Sequence, residues 1–194
     1  MKYNFLIALF SCALLSANAC LVSKQRPCVF SSPDFNKSAI KNLTILPVAD
    51  LRTDQSVKGN FNKWAQKKAK FFLKRKKYAV QVDASTQKVS GLTREIVKRA
   101  YETNDYTEMI NLLQPADAEY VLLMTLDQWT SKFVFNCTSS AEMTGYLFNT
   151  KTNKLIMKNK GSGDASVGPL ICPVAIQTAI ESAALEIVLC FPNK

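Results

Sequence analysis

Residues 118–126, AEYVLLMTL, carry the strongest strand signal in the chain, and the turn residues Pro115 to Asp117 set it off from what precedes. A continuous apolar run of this kind needs partner strands, so a sheet is the starting point for the fold. The strand is expected to continue through Trp129 to Phe135. A hairpin follows. Ala141 to Phe148 alternates Met143, Gly145 and Leu147 against Glu142, Thr144 and Tyr146, the turn is Asn149 to Asn153, and the return strand is Lys154 to Lys160. Gly161, Gly163, Gly168 and Pro169 read as a loose connection. Val174 to Leu189 reads as a last helix, with Ile176, Ala179, Ile180, Ala183, Leu185 and Ile187 as its buried set.

Upstream, LTILPVAD (Leu43 to Asp50) predicts a buried first strand. Phe61 to Lys77 predicts an amphipathic helix. At about 100° per residue, Phe61, Trp64, Ala65, Ala69, Phe71 and Phe72 share one arc, while Lys63, Lys67, Lys70 and Lys74 lie opposite. Tyr78 to Val82 reads as a second strand, Asp83 to Gly91 as a polar loop, and Leu92–Tyr101 and Thr107–Leu113 as two short helices. Pro115 stops the second of these. The order β-α-β-α-α-β-β-β-α predicts an α/β fold. It has a mixed sheet with helices packed on it and a C-terminal antiparallel hairpin followed by a helix, in a single domain over residues 41–194.

The N-terminus has its own logic. Lys2 precedes an apolar run of eleven residues, Phe5 to Leu15. That run is short of the ~20 residues a spanning helix needs and fits the core of a signal peptide over residues 1–19. Two cleavage signals then coincide. Ala17-Asn18-Ala19 is the small-x-small triplet of a general signal peptidase, and Cys20 is where a bacterial lipoprotein would be acylated. Residues 20–40 mix Pro, Ser, Lys and Asn without a period and read as a lipid-anchored tether. Cysteine parity bears on the choice. A lipidated Cys20 leaves Cys28, Cys137, Cys172 and Cys190, an even set, whereas a free Cys20 leaves five.

Four cysteines allow three pairings. If the hairpin folds about Thr150 to Asn153, Cys137 falls opposite residues 165–167 and Cys172 arrives shortly after, within the ~4.4–6.8 Å Cα window of a disulfide. Cys28 and Cys190 then pair by elimination. Asn36, Asn42 and Asn136 head glycosylation triplets that matter only in a eukaryotic secretory pathway.

Histidine is absent, which removes the commonest general base and metal ligand and every Ser-His or Cys-His arrangement. No phosphate loop, nucleophile elbow or CxxC pair occurs, so no catalytic residue, metal site or cofactor is assigned. A hydrolase built on Lys, Tyr and Asp is the weakest of the functional readings. Asp50 and Asp54 flank the end of the first strand, where α/β sheets often bind ligands, although turn and cap duties account for them more simply.

The chain carries a formal charge of +10, and removing residues 1–19 takes away only Lys2, leaving +9. Nine basic residues and no acid lie between Lys58 and Val82. Lys63, Lys67, Lys70 and Lys74 are the candidate patch for an anionic partner; the plainer reading is a solvated helix face. Nucleic acid is not the expected partner of an exported chain whose aromatics lie away from the lysines.

Three stretches bear a family likeness: TILPVADLRTD, DAEYVLLMTLDQW and AEMTGYLFNTKTNKLIMKNKGSG. From Leu43 to Leu189 the chain resembles bacterial outer-membrane lipoproteins whose domain is similar to the periplasmic part of the curli secretion lipoprotein CsgG and to the N-terminal domain of TolB. The resemblance implies a non-enzymatic domain, lipid-anchored in the outer membrane and facing the periplasm. It would be an accessory of a transport or secretion assembly, acting through protein contacts and compatible with self-association. Leu21 after Cys20 suits outer-membrane sorting in such hosts. The cysteines, the lysine helix and Ala17 in place of the usual lipobox Leu depart from the pattern, and no pore-forming hairpin is evident. The alternative is a soluble secreted or periplasmic binder of an anionic ligand through the lysine helix.

Overall fold

The computed structural model describes residues 27–33, 35, 36, 38–54, 59–113, 118–168 and 171–193. The strands are β1 (Phe30–Ser31), β2 (Asn42–Ile45), β3 (Ala49–Asp50), β4 (Ala79–Val82), β5 (Tyr120–Phe133), β6 (Cys137–Asn149) and β7 (Lys154–Val167). The helices are α1 (Phe61–Arg75), α2 (Arg94–Thr103), α3 (Thr107–Leu113) and α4 (Cys172–Leu189), with a 3-10 turn over Thr86–Val89. One mixed sheet runs β1-β7-β6-β5-β2-β4, and β3 also pairs with β5. Pairings among β2, β3, β4 and β5 are parallel, and those among β5, β6, β7 and β1 are antiparallel.

Each face of the sheet is covered by different helices. On one side, α1 and α4 pack over Ile45, Leu122, Met124, Met143 and Leu147. On the other, Val97, Ala100, Met109, Ile110 and Leu113 from α2 and α3 pack over Val121, Leu123, Tyr146 and Phe148. Residues 121–124 of β5 are therefore wholly buried. A strand covered on both faces reads as an unbroken apolar run rather than an alternation.

The hairpin turn forms because Asn149 Oδ1 accepts from the backbone N–H groups of Lys151 (3.0 Å) and Thr152 (3.2 Å), and Asn153 takes φ +54°. Asn tolerates that left-handed conformation better than most residues. Thr93 caps α2 by accepting from Ile96 N–H, and Asn104 ends it at φ +52°.

Several expectations need correcting. The stretch around Gly161 and Gly163 is not a loose connection, because β7 continues to Val167. These glycines are where α4 presses onto the sheet: a methyl group at Gly161 would overlap the carbonyl oxygen of Ala183, and one at Gly163 that of Ala179. The first strand divides at Leu46–Val48 into β2 and β3. The polar loop after β4 contains the 3-10 turn. Ile176 and Leu185 of α4 are half-buried, while Ala175, Ala184 and Val188 join the buried set. Finally, the second half of the segment read as a tether lies on the domain. Phe30 and Ser31 pair with Lys158 and Met157, and Ile40 is fully buried.

Candidate functional site

The four described candidate cysteines lie at the two ends of the α1–α4 layer, and the candidate lysines run along α1 between them. The two helices run side by side in the same direction: Lys68 meets Glu181 at 3.3 Å, and Lys76 meets the carbonyl oxygen of Leu189 at 2.8 Å. At 1.5 Å per residue, the 18 residues of α4 separate its ends by ~27 Å.

A disulfide closes each end. Cys28 joins Cys190 just past the C-terminus of α4, with Cα atoms 5.1 Å apart. Cys137 joins Cys172 at its N-terminus, Cα atoms 5.2 Å apart; Cys137 itself pairs with Val167 across the β6–β7 ladder. Cys20 lies outside the described residues, as does the segment read as a signal peptide.

The Cys28–Cys190 end is polar and aromatic. Lys76 is buried and its ammonium donates to the carbonyls of Leu189 and Phe191. Burial lowers the Lys76 pKa to about 8. Tyr78 OH donates to Pro192 O at 3.0 Å, and burial pushes the phenol up to about 12. Phe35 and Tyr78 both meet the Phe191 ring nearly at right angles, with centroids 6.0 and 5.7 Å away. Lys63, Lys67 and Lys74 are exposed on α1 and Lys70 is half-buried. Phe71, expected on the apolar arc, is instead 53% exposed among them, and Leu73 takes the buried place.

The Cys137–Cys172 end is a projecting hairpin. Beyond Trp129 its stem is lined by hydroxyls: Trp129 Nε1 donates to Ser139 Oγ (2.8 Å), and Thr130 and Ser140 share a bond of 2.6 Å. Its tip is apolar, with Phe133, Val134 and Phe135 exposed by 62%, 73% and 87%. Ile171 and Val174, either side of Cys172, are exposed too. The strand expected to continue through Phe135 ends at Phe133, and residues 134–136 make the bend into β6. The available signal was the FVF triplet bounded by Thr130-Ser131-Lys132 and Thr138-Ser139-Ser140, an apolar summit on a polar stem.

Two recesses, of about 600 and 610 Å³, flank α2. In the first, the Asp127 carboxylate accepts from the hydroxyls of Thr125 (2.7 Å) and Thr144 (2.5 Å). The Lys158 ammonium lies 3.4 Å from the centre of the Tyr101 ring. Burial, and secondarily Lys160, lowers the Lys158 pKa; burial, and secondarily Asp127, raises that of Tyr146. In the second recess, Asp50 holds the buried Arg52 through two side-chain bonds of 2.8 and 2.6 Å, and that guanidinium lies over Phe61 and Trp129. Asp50 thus supports its own loop, and the Asp127 carboxylate of the first recess is likewise engaged, by two hydroxyls.

No family model matches the chain, and no curated protein matches it. Among solved structures, a PelC dodecamer from Paraburkholderia phytofirmans superposes with a TM-score of 0.50 at 11% identity, covering 84% of this chain and 92% of that one. The likeness is one of fold. A second PelC crystal form matches at 0.49 and 13% identity, covering 85% and 96%. Lipoprotein GNA1162 from Neisseria meningitidis matches at 0.44 and 13%, covering 65% and 83%.

Proposed function

We propose that the protein is a non-enzymatic envelope lipoprotein, anchored through Cys20 in the outer membrane and facing the periplasm. It serves there as an accessory of a transport or secretion assembly, in keeping with the resemblance to the CsgG and TolB domains. The observation that carries this reading is the hairpin tip. A disulfide holds Phe133, Val134 and Phe135 in water at one end of the domain, and exposed apolar clusters of this kind mark contact sites. Fully burying a Phe or Val side chain against a partner contributes ~1.5–3 kcal/mol. The tip is displaced by the length of α4 from the disulfide through which the N-terminal segment joins the domain, so the two ends can serve membrane attachment and protein contact separately.

Site-specific photocrosslinking in intact envelopes tests the contact. A crosslinker at Phe135 is expected to give a discrete adduct, one at Lys98 on the far face none, and Phe133→Ser should weaken the first. Monomer alone at position 135 would overturn the contact reading. The anchor is tested separately by the mass of the N-terminal peptide. Diacylglycerol on Cys20 supports it, and an unmodified Cys20 in the soluble fraction would overturn it in favour of the soluble anionic binder.

A further inference from the structure

Helix α1 uses its positive charge in two ways. Lys68 is paired with Glu181 and Lys76 is buried on backbone carbonyls, so both are committed to the fold. Lys63, Lys67, Lys74, Arg75 and Lys77 are exposed and Lys70 is half-buried, and among the described residues none of these six has a carboxylate partner. From Lys63 to Val82 the chain holds no acid that could moderate them. Phe71 stands within this stripe, its ring exposed and the Arg75 guanidinium 5.4 Å from its centre. Basic residues in the last turn suit the helix dipole, but that accounts only for Lys74 and Arg75 and not for an exposed phenyl ring.

The position of the stripe adds a second, independent observation. Its C-terminal half lies at the end of the domain where the N-terminal segment is stapled. Lys76, the buried residue between Arg75 and Lys77 of the stripe, bonds to Leu189 and Phe191, and Cys190 between them carries the disulfide to Cys28. Cys20 is eight residues from Cys28, a span of at most ~28 Å when fully extended. A membrane holding Cys20 is therefore within reach of this end.

We propose that Lys67, Lys70, Phe71, Lys74, Arg75 and Lys77 form a docking surface for anionic phospholipid headgroups, which lays this end of the domain against the bilayer. The cations meet the negative surface potential, and Phe71 enters the headgroup layer as an amphipathic interfacial helix inserts its aromatics. The acyl chains on Cys20 would hold the protein at the membrane, and the basic patch sets how the domain lies on it. The inference rests on the reading of Cys20 as the anchor only for its orientation; the surface itself is a property of the folded domain.

The test uses the secreted chain carrying Cys20→Ser, which has no thiol to acylate, and co-sedimentation with vesicles. Binding is expected to vesicles containing phosphatidylglycerol and not to phosphatidylcholine alone, and to fall steeply with salt. Lys67→Glu/Lys70→Glu/Lys74→Glu should reduce it more than tenfold and Phe71→Ser several-fold, with the unfolding midpoint held within a few degrees as a control on folding. Equal binding to both vesicle types, no binding, or full binding by the triple variant would overturn the proposal. So would polyphosphate of matched charge binding as tightly as the vesicles, which would mark a general polyanion surface. The anchor is read independently: acylated Cys20 without vesicle binding sinks the headgroup surface alone, and vesicle binding with unmodified Cys20 sinks the anchor alone.

Discussion

The ammonium of Lys76, at the end of the lysine-rich helix, caps the last helix by donating to the carbonyl oxygen of Leu189 at 2.8 Å. Leu189 is the final helical residue of α4, so its carbonyl lacks an intrahelical partner, and a cation there also meets the negative end of the helix dipole. One of the nine basic residues between Lys58 and Val82 is thus an internal fastener between α1 and α4.

Replacing it exposes that role. Lys76→Met leaves the carbonyls of Leu189 and Phe191 without this donor and is expected to cost ~1–3 kcal/mol. The pH dependence has a definite sign. With a folded pKa of about 8 against an ordinary lysine value of 10.5, the unfolded state binds more protons between those values, so stability rises with pH through that window. Tyr78, raised from 10.0 to about 12, has the opposite effect, but only above its unfolded value. Urea unfolding between pH 8 and 10 should therefore show a rise in the wild type that is smaller in Lys76→Met, where Lys158, its pKa also lowered by burial, still contributes.

The contact of α4 with the sheet depends on the absence of side chains at β7. Gly163→Ala forces a methyl group against the Ala179 carbonyl and Gly161→Val forces a larger group against Ala183. Overpacking of this kind typically costs ~1–3 kcal/mol, and backbone obstruction puts these changes toward the upper end. Thermal unfolding followed by circular dichroism measures it; an unchanged midpoint for Gly161→Val would contradict the packing.

The tip disulfide closes a loop of 35 residues in sequence separation. By chain entropy, Cys137→Ala/Cys172→Ala should lower stability by about 4 kcal/mol. Non-reduced peptide mapping of the wild type should recover a crosslink between residues 137 and 172 and another between 28 and 190.

Asp50 should prove structural. Asp50→Ala takes two side-chain hydrogen bonds from a guanidinium that is 7% exposed, and losing bonds to a charged group in this way costs ~1.5–3 kcal/mol. Denaturant unfolding of the variant measures that loss.

The sequence by itself determined the order and type of the major elements, because each rests on local periodicity. Thr107–Leu113 reads as a helix between Asp105 and Pro115, the 118–126 run reads as a strand, and Asn149 to Asn153 reads as a turn, all within a few residues of chain. The cation face of α1 was legible for the same reason.

Tertiary structure decided what depends on neighbours distant in sequence. Glycines that signal a turn locally became the seat of a helix because α4 needed room. Phe71, expected on the apolar arc, stays at the surface and Leu73 is buried because α1 packs against both the sheet and α4. Lys76, indistinguishable in sequence from Lys74, was drawn inward by carbonyls 113 and 115 residues away. Helical and strand periodicity report which face of an element is apolar; which residues at the margin of that face are covered is set by the elements that arrive to cover it.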